Sequence, residues 1–249
     1  MVNYLNNTLN FYLITMLFLV VCNYLNIVLF SFLNKELINT YIHKPLHKYI
    51  LPIKIVHNII SITMSTYLFL GIFNSVQKYN FEIVGNYYDE NHKDLSYMLN
   101  MFYLSKYYEL FDTMLMIIQM NYNQISFLHV YHHMSIILVW YFIVNVEPGG
   151  DAYLSALINS FIHIVMYSYY LITSFVKDST LRKKYLWWGK YLTQFQIVQF
   201  GINFVHAIYC IYLGNYSKLI LFIQIVYMST FIGLFSNFYI KKYIKNKII

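Results

Sequence analysis

Long apolar runs separated by short polar stretches follow one another along the whole chain. A helix rises about 1.5 Å per residue, so about 20 apolar residues cross the roughly 30 Å hydrocarbon core of a bilayer. Seven runs reach that length, at residues 11–33, 52–74, 95–120, 125–146, 152–174, 191–213 and 217–240. The pattern therefore predicts an all-α integral membrane protein with seven transmembrane helices, forming a single domain over residues 1–249.

Charged residues are too few to cover a soluble globule. Of the 249 residues, 59% are hydrophobic and only 11% are charged, which excludes a water-soluble domain. No basic region and no small-residue cleavage site accompany the first segment, so we expect a retained anchor rather than a signal peptide. Cys22 and Cys210 lie far apart in apolar segments, and we expect them to pack there without forming a disulfide or a metal site.

The loops divide by charge, and this division predicts the orientation. Lysine and arginine predominate in loops 34–51 and 175–190 and in the tail after residue 240, whereas acidic residues predominate in loops 75–94 and 147–151. Positively charged loops stay in the cytosol. The N-terminus is then lumenal and the C-terminus cytosolic, as seven crossings require.

Three histidines share one helical face in FLHVYHHMS, residues 127–135. His129, His132 and His133 follow the i, i+3, i+4 spacing that stacks side chains on a helix. The apolar residues after them place this helix in the bilayer, where three imidazoles need polar partners. They indicate a functional site, and the alternative is a set of core histidines bonded to backbone carbonyls.

The third segment carries ionisable groups in KYYELFDTM. Lys106, Glu109, Asp112 and Thr113 lie along one broad arc of this helix, and each ionised group near the bilayer centre costs about 2.5–3.5 kcal/mol. Lys106 and Glu109 can pair at i, i+3, which would also suit a purely structural ion pair. Asp112 then needs a partner on another helix, for which a histidine is the obvious candidate.

The fifth segment carries a polar stripe in NSFIHIVMYSYY. Asn159, His163, Met166, Tyr167 and Tyr170 follow helical spacing and share one face. Methionine and tyrosine alone would indicate core packing. Asn159 and His163 in the same stripe favour a face that lines a polar cavity.

A fourth polar run opens the sixth segment in YLTQFQIVQ. Thr193, Gln196 and Gln199 stand at successive steps of three residues, although such amides can simply join neighbouring helices. With the predicted orientation, this run, the histidines and the lower part of the third segment fall in the cytosolic half of the bilayer. Together they predict a polar cavity that opens to the cytosol.

Four of these motifs resemble, in order and spacing, those of the ELO family of very-long-chain fatty-acid elongases. KYYELFDT fits KxxExxDT, HVYHH fits HxxHH, NSFIHIVMYSYY fits NxxxHxxMYxYY, and TQFQIVQ fits TxxQxxQ. The resemblance implies condensation of a long-chain acyl-CoA with malonyl-CoA to a 3-oxoacyl-CoA, CO2 and CoA, with no cofactor or metal. It also implies that segments 2–7 form a six-helix barrel around an acyl-CoA tunnel closed at its lumenal end, with segment 1 outside.

The residues suggest how such a condensation would proceed. Neither cysteine lies among the motifs, whereas a neutral imidazole can attack a thioester near pH 7. We expect His132 to take the acyl group, a choice that rests on the family because spacing does not separate it from His129 and His133. His163 would stabilise the enolate or handle the proton. The supporting groups would be the oxyanion donors Asn159 and Gln196 and the histidine-orienting carboxylate Asp112. The expected substrate-binding residues are Lys106, Glu109, Thr113, Tyr167, Tyr170, Thr193, Gln199, Arg182, Lys183 and Lys184.

Basic residues at the cytosolic ends are candidates for binding the CoA phosphates, although topology alone also explains them. These residues are Arg182, Lys183, Lys184, Lys241 and Lys242. Lys245 and Lys247 fit the KxKxx dilysine retrieval signal, which predicts residence in the endoplasmic reticulum, although a lysine-rich tail can match it by chance. The expected partners are membrane lipid, other enzymes of the elongation cycle and a second copy of the chain, with no nucleic acid.

Two other classes of protein share parts of this pattern. A membrane di-iron desaturase or hydroxylase also carries HxxHH, but needs several histidine boxes. This chain has nine histidines and no second HxxHH; His43 and His47 form only HxxxH in a predicted proline-containing loop. A seven-helix receptor would have the same orientation but would not need ionisable groups gathered at its cytosolic end.

Overall fold

Helices dominate the computed structural model, which describes the backbone of residues 2–176 and 178–244 and side chains from residue 13 onward. The retrieval signal predicted at Lys245 and Lys247 lies outside the described residues. All regular elements within these ranges are helical. The α-helices are α1 (Val2–Leu33), α2 (Lys35–Ile38), α3 (Lys44–Lys78), α4 (Lys93–Ile118), α5 (Phe127–Val146), α6 (Tyr153–Phe175), α7 (Ser179–Tyr185), α8 (Gly189–Leu213) and α9 (Lys218–Tyr239).

Six helical stretches in the described ranges are long and apolar enough to cross a membrane. They are Leu13–Leu33, Lys35–Lys78, Phe127–Val146, Gly150–Phe175, Gly189–Leu213 and Lys218–Ile244. This confirms an all-helical, multi-pass membrane protein. The remaining predicted segment corresponds to α4, whose 26 residues would extend about 39 Å. Its buried charged side chains make α4 less apolar than the other six stretches, and the count of seven crossings stays a prediction.

The prediction of a loop over residues 34–51 is wrong, because this stretch is helical. Helix α2 passes into a π-helical turn, Asn39–His43, and then into α3. The π-turn ends at His43, two residues before Pro45. Proline has no backbone N–H and so lacks one hydrogen bond of a regular α-helix. The wider turn lets the chain pass the proline along a helical path, so His43 and His47 also stand on helices.

A second predicted loop, 175–190, also contains a helix. Asp178 caps the N-terminus of α7, and its carboxylate accepts hydrogen bonds from the backbone N–H groups of Thr180 at 2.8 Å and Leu181 at 3.0 Å. Such caps satisfy donors that have no partner within the helix. The sequence signal for this helix was the run Asp178-Ser179-Thr180 before a basic stretch. Such a run is typical of a helix start, but it is also typical of a loop.

The described chain forms two compact units, and the first comprises Met1–Ile50 and Lys106–Leu138. Its apolar core joins the buried face of α1 to α2, the end of α4 and the turn after it. The core residues are Tyr24, Val28, Ile38, Ile117 and Ile125. This packing holds the end of α4 and the start of α5 within one body, so their polar side chains keep fixed positions.

The second unit comprises Leu51–Ser105 and Val139–Ile249. Phe200 on α8 packs between Phe231 and Phe235 on α9, with ring centroids 4.9 Å apart in both pairs. The turn before α6 needs Gly150, whose φ is +52°. A Cβ there would lie 2.7 Å from the Tyr216 ring and 2.9 Å from the Asn86 carbonyl oxygen, so only glycine fits.

Candidate active site

A buried ion pair lies on α4 in the first unit. Lys106 Nζ donates to Glu109 Oε1 at 2.7 Å, and their side chains are only 2% and 3% exposed. This is the predicted i, i+3 pair. Because each charge is buried against its partner, removal of either side chain would leave an uncompensated charge in an apolar interior.

A chain of hydrogen bonds joins three helices of the same unit. The Tyr24 hydroxyl on α1 lies 2.9 Å from Thr113 Oγ1 on α4, and Thr113 Oγ1 lies 2.8 Å from His129 Nε2 on α5. Thr113 is completely buried. His129 is the first of the three histidines of HVYHH, here called the histidine box. Its ring is therefore hydrogen-bonded to the Thr113 hydroxyl, which is in turn hydrogen-bonded to Tyr24 on α1.

The three box histidines pack against one another, as their spacing predicts. The ring centroids of His129 and His133 are 4.5 Å apart, and those of His132 and His133 are 5.3 Å apart. Asp112 lies close enough to act electrostatically on His129, Lys106 and Tyr24. Thr113 supplies a hydrogen bond to His129, and the predicted orienting role of Asp112 remains a prediction.

In the second unit, the α6 stripe faces the interior. Asn159, His163 and Tyr167 are buried. The Tyr167 ring stands edge-on to both imidazoles near it, with centroids 5.7 Å from His163 and 6.0 Å from His57 on α3. Tyr170 continues the stripe towards the surface and is 39% exposed. The polar face thus holds His163 in a fixed orientation by aromatic packing.

Helix α8 brings its polar run against this stripe. Gln196 Nε2 lies 3.9 Å from Met166 Sδ on α6, and Thr193 and Gln199 are buried. The amide of Gln196 is therefore beside Met166 of the α6 stripe. The single site expected from the TxxQxxQ and NxxxHxxMYxYY motifs stays a prediction.

The basic segment around α7 borders a pocket of about 330 Å³. Its lining residues are Tyr169, Thr173, Arg182, Lys183, Leu186 and Trp187. Arg182 Nε also donates to the Val176 carbonyl oxygen at 2.8 Å, at the end of α6. Lys184 is not among the lining residues, and its Nζ lies 5.3 Å from the centroid of the Tyr185 ring. The three adjacent cations therefore have different surroundings.

Three buried polar residues were missed from the sequence. Tyr24 is one of 28 tyrosines, and its importance follows from its place on the buried stripe of α1 with Leu17, Val28 and Ser31. That stripe has helical spacing and could have been found. His57 and Asn58 are both buried on α3, and two adjacent polar residues in the middle of an apolar segment were an available signal.

The fold and these clusters define a multi-pass helical membrane protein with buried imidazoles, amides and a buried ion pair. The chain belongs to the ELO: GNS1/SUR4 family, whose model matches residues 5–248. This match covers nearly the whole chain and confirms the resemblance carried by the four motifs.

Curated proteins similar to this chain are named as elongases. "Very long chain fatty acid elongase 5" of Homo sapiens is 38% identical over 197 residues, which cover 78% of this chain and 64% of that protein. The protein of the same name from Tachysurus fulvidraco is 38% identical, with 78% and 66% covered. "Very long chain fatty acid elongase 4" of Mus musculus is 38% identical, with 71% and 56% covered. The matches thus span less than two thirds of the length of these relatives.

Proposed function

We propose that this protein elongates fatty acids as a membrane 3-oxoacyl-CoA synthase. It would condense a long-chain acyl-CoA with malonyl-CoA to give a 3-oxoacyl-CoA, CO2 and free CoA. Family membership and the printed names of the relatives support elongation. The observation that carries the proposal is the packed histidine cluster of α5, held through Thr113 of α4, the helix that also carries the Lys106–Glu109 pair.

The first chemical step is acyl transfer to an imidazole. A neutral ring nitrogen of His132 attacks the thioester carbonyl, the carbon–sulfur bond breaks, and CoA leaves as its thiol after taking a proton. The rings of His129 and His133 support this step because a packed imidazole cluster can orient the attacking nitrogen and pass the ring proton of His132 on to the departing sulfur. The product is an acyl-imidazole, and CoA is free to exchange for malonyl-CoA.

The second step forms the new carbon–carbon bond. Malonyl-CoA loses CO2, its enolate carbon attacks the acyl carbon, and the carbon–nitrogen bond to His132 breaks to regenerate the imidazole. His163 stabilises the enolate or handles the proton, and Asn159 and Gln196 donate to the developing oxyanions. Support for these roles comes from the buried, aromatic-packed position of His163 and from the placement of Gln196 beside the α6 stripe.

The pocket beside α7 is our candidate for the nucleotide end of CoA. Arg182 and Lys183 offer positive charge to phosphates, and the aromatic rings of Tyr169 and Trp187 in the same lining suit a purine base. Phosphates at this site would lie near two cations, Arg182 and Lys183. The lining residues include no carboxylate that would repel them.

The proposed architecture places this chemistry on the cytosolic side of the endoplasmic reticulum membrane. It has seven transmembrane helices, of which the last six surround the acyl tunnel, with the N-terminus in the lumen and the C-terminus in the cytosol. Support comes from the loop charges and from the six apolar stretches. Membrane lipid surrounds the protein, and other enzymes of the elongation cycle and a second copy of the chain are its proposed partners.

Purified protein supplied with acyl-CoA and radiolabelled malonyl-CoA tests the proposal. We expect label in a 3-oxoacyl-CoA only when a long-chain acyl-CoA is also present, and a ladder of acyl-CoAs defines the preferred length. Folded protein that incorporates no label with any chain length contradicts the proposal. Two irons per chain together with oxygen-dependent desaturation would establish the di-iron alternative instead.

A further inference from the structure

Three side chains with metal-binding atoms meet in the second unit, and none belongs to the four motifs. Asp151 lies in the turn before α6, and His206 and Cys210 stand at i and i+4 on α8. One ligand atom from each lies within 4.8 Å of the others, and the three residues are only 1%, 5% and 1% exposed. A carboxylate, an imidazole and a thiol gathered in a buried position form a donor set that suits a divalent transition metal.

The imidazole of His206 is already oriented for metal binding. Its Nε2 lies 2.9 Å from the Ile83 carbonyl oxygen, so this nitrogen carries the proton and donates to the carbonyl. The lone pair is then on Nδ1. Cys210 Sγ lies beside this ring, 3.8 Å from Nδ1 and 3.5 Å from Nε2. Histidines that bind metals commonly donate their second ring nitrogen to a backbone carbonyl in this way.

The carboxylate of Asp151 is also fixed and retains room for another bond. Oδ1 accepts from the Asn86 backbone N–H at 3.0 Å and from Asn86 Nδ2 at 2.7 Å, whereas Oδ2 accepts from the Gly85 N–H at 3.0 Å. An ionised carboxylate oxygen offers about two lone pairs, so Oδ2 can also bind an ion. The Cys210 thiol lies against this carboxylate as a hydrogen-bond neighbour.

We propose that Asp151, His206 and Cys210 bind a zinc ion, with a water molecule as the fourth ligand. Zinc binds sulfur at about 2.3 Å and nitrogen or oxygen at about 2.0–2.2 Å, so tetrahedral ligand atoms lie roughly 3.3–3.7 Å apart. The Nδ1–Sγ separation of 3.8 Å is about 0.1 Å above this range, and closing the remaining pairs, which lie within 4.8 Å, takes a shift of about 1 Å. Binding releases the Cys210 proton, and the thiolate and carboxylate neutralise the two charges of the ion.

Such an ion would join the turn before α6 to α8, and two of its ligands, Asp151 and His206, also hold the loop between α3 and α4 by hydrogen bonds. The same loop is held by hydrogen bonds from the Tyr153 hydroxyl to the Glu82 carbonyl oxygen at 2.9 Å and from Asn215 Nδ2 to the Gly85 carbonyl oxygen at 2.8 Å. Zinc is therefore structural in this proposal, which goes beyond the packing role expected for Cys210. Its test does not depend on elongase activity.

Elemental analysis of the full chain purified without chelators gives the first measurement. We expect about one zinc per chain in the wild type and less than about one tenth of that in Cys210→Ser, because the soft thiolate ligand is lost. Cys22→Ser is the matched control, since it removes the other cysteine and leaves the cluster intact. Zinc retained by Cys210→Ser at the wild-type level overturns the site.

Cobalt replacement gives a second measurement on the wild type and Cys22→Ser, so the test survives if Cys210→Ser fails to fold. We expect a thiolate-to-cobalt charge-transfer band in both proteins. Its presence in Cys22→Ser would show that the thiolate ligand is not Cys22. Absence of zinc from protein expressed in zinc-supplemented medium, together with absence of this band, overturns the proposal. Asp151, His206 and Cys210 then stabilise this part of the fold through hydrogen bonds only.

Discussion

Thr113 Oγ1 lies 2.8 Å from His129 Nε2, and this contact ties a hydroxyl of α4 to the first box histidine on α5. The same oxygen lies 2.9 Å from the Tyr24 hydroxyl on α1. A histidine that is expected to act in acyl transfer is therefore positioned by groups that do not take part in the chemistry. Loss of such positioning measurably lowers the rate of the reaction that the positioned group catalyses.

The hydroxyl of Thr113 can be removed with little change in shape. Thr113→Val leaves buried polar atoms on Tyr24 and His129 without this partner, at a cost of about 1–3 kcal/mol. We expect the rate of acyl transfer to fall roughly tenfold or more, with an unchanged KM for malonyl-CoA. Thr113→Ser keeps the hydroxyl and is the control. Wild-type kcat in Thr113→Val would show that this bond does not position His129.

Covalent acylation distinguishes the box histidines. After incubation with acyl-CoA alone, intact-mass analysis should show an acyl adduct on the wild type and none on His132→Ala, which should remain folded and inserted. His47→Ala removes an exposed histidine outside the box and should still form the adduct. An adduct on His132→Ala would assign the nucleophile to another residue.

Removing one partner of the Lys106–Glu109 pair should destabilise the fold more than replacing both partners by apolar residues. Breaking a buried pair by removing one partner costs about 3–5 kcal/mol, whereas replacing both by apolar residues costs much less. We expect Lys106→Met and Glu109→Leu to lower the melting temperature strongly when made singly, and the double variant to recover part of the loss. Strictly additive losses would mean that the two side chains act independently.

Two adjacent lysines separate phosphate binding from membrane topology. Lys183 lines the pocket beside α7 and Lys184 does not, yet the two contribute equally to loop charge. At low salt, Lys183→Gln should raise the KM for both CoA substrates roughly threefold, and Lys184→Gln should leave it unchanged. Equal effects of the two substitutions would mean that Lys183 does not bind phosphate specifically and that both lysines serve only membrane topology.

Asp178 gives the cap of α7 a defined pH dependence. Hydrogen bonds from the Thr180 side chain and from the backbone N–H groups of Leu181 and Thr180 lower the pKa of Asp178. The lower folded-state pKa means that the ionised carboxylate stabilises α7 fully above the unfolded pKa of about 3.9, and that this contribution is lost as pH falls through the folded pKa.

Hydrogen exchange of residues 179–185, corrected for intrinsic rates, measures this loss. Protection of the wild-type helix should decrease below about pH 4. Asp178→Asn keeps a side-chain acceptor without a titrating proton, so its protection should stay level over the same range. A parallel decrease in Asp178→Asn would assign the effect to other groups.

The apolar segments and polar motifs could be predicted because each depends on spacing along one helix. The Lys106–Glu109 pair and the packed histidines follow directly from i, i+3 and i, i+4 positions. The Tyr24–Thr113 bond could not, because it joins residues 89 positions apart and depends on how α1 is rotated about its axis. The helix across loop 34–51 was missed because proline is read as a helix end, and the π-turn that admits it carries no clear sequence signal.

The charged residues in the middle of α4 also bear on how the protein enters the membrane. Lys106, Glu109 and Asp112 make α4 too polar to be retained by the translocon on its own hydrophobicity, since each unpaired charge costs about 2.5–3.5 kcal/mol. The Lys106–Glu109 ion pair lies within α4 itself, and Thr113 is hydrogen-bonded to Tyr24 on α1 and to His129 on α5, which is synthesised later. In the proposed topology, α4 and α5 therefore enter the lipid as a hairpin. A ribosome stalled before α5 emerges should leave α4 accessible to water-soluble cysteine reagents.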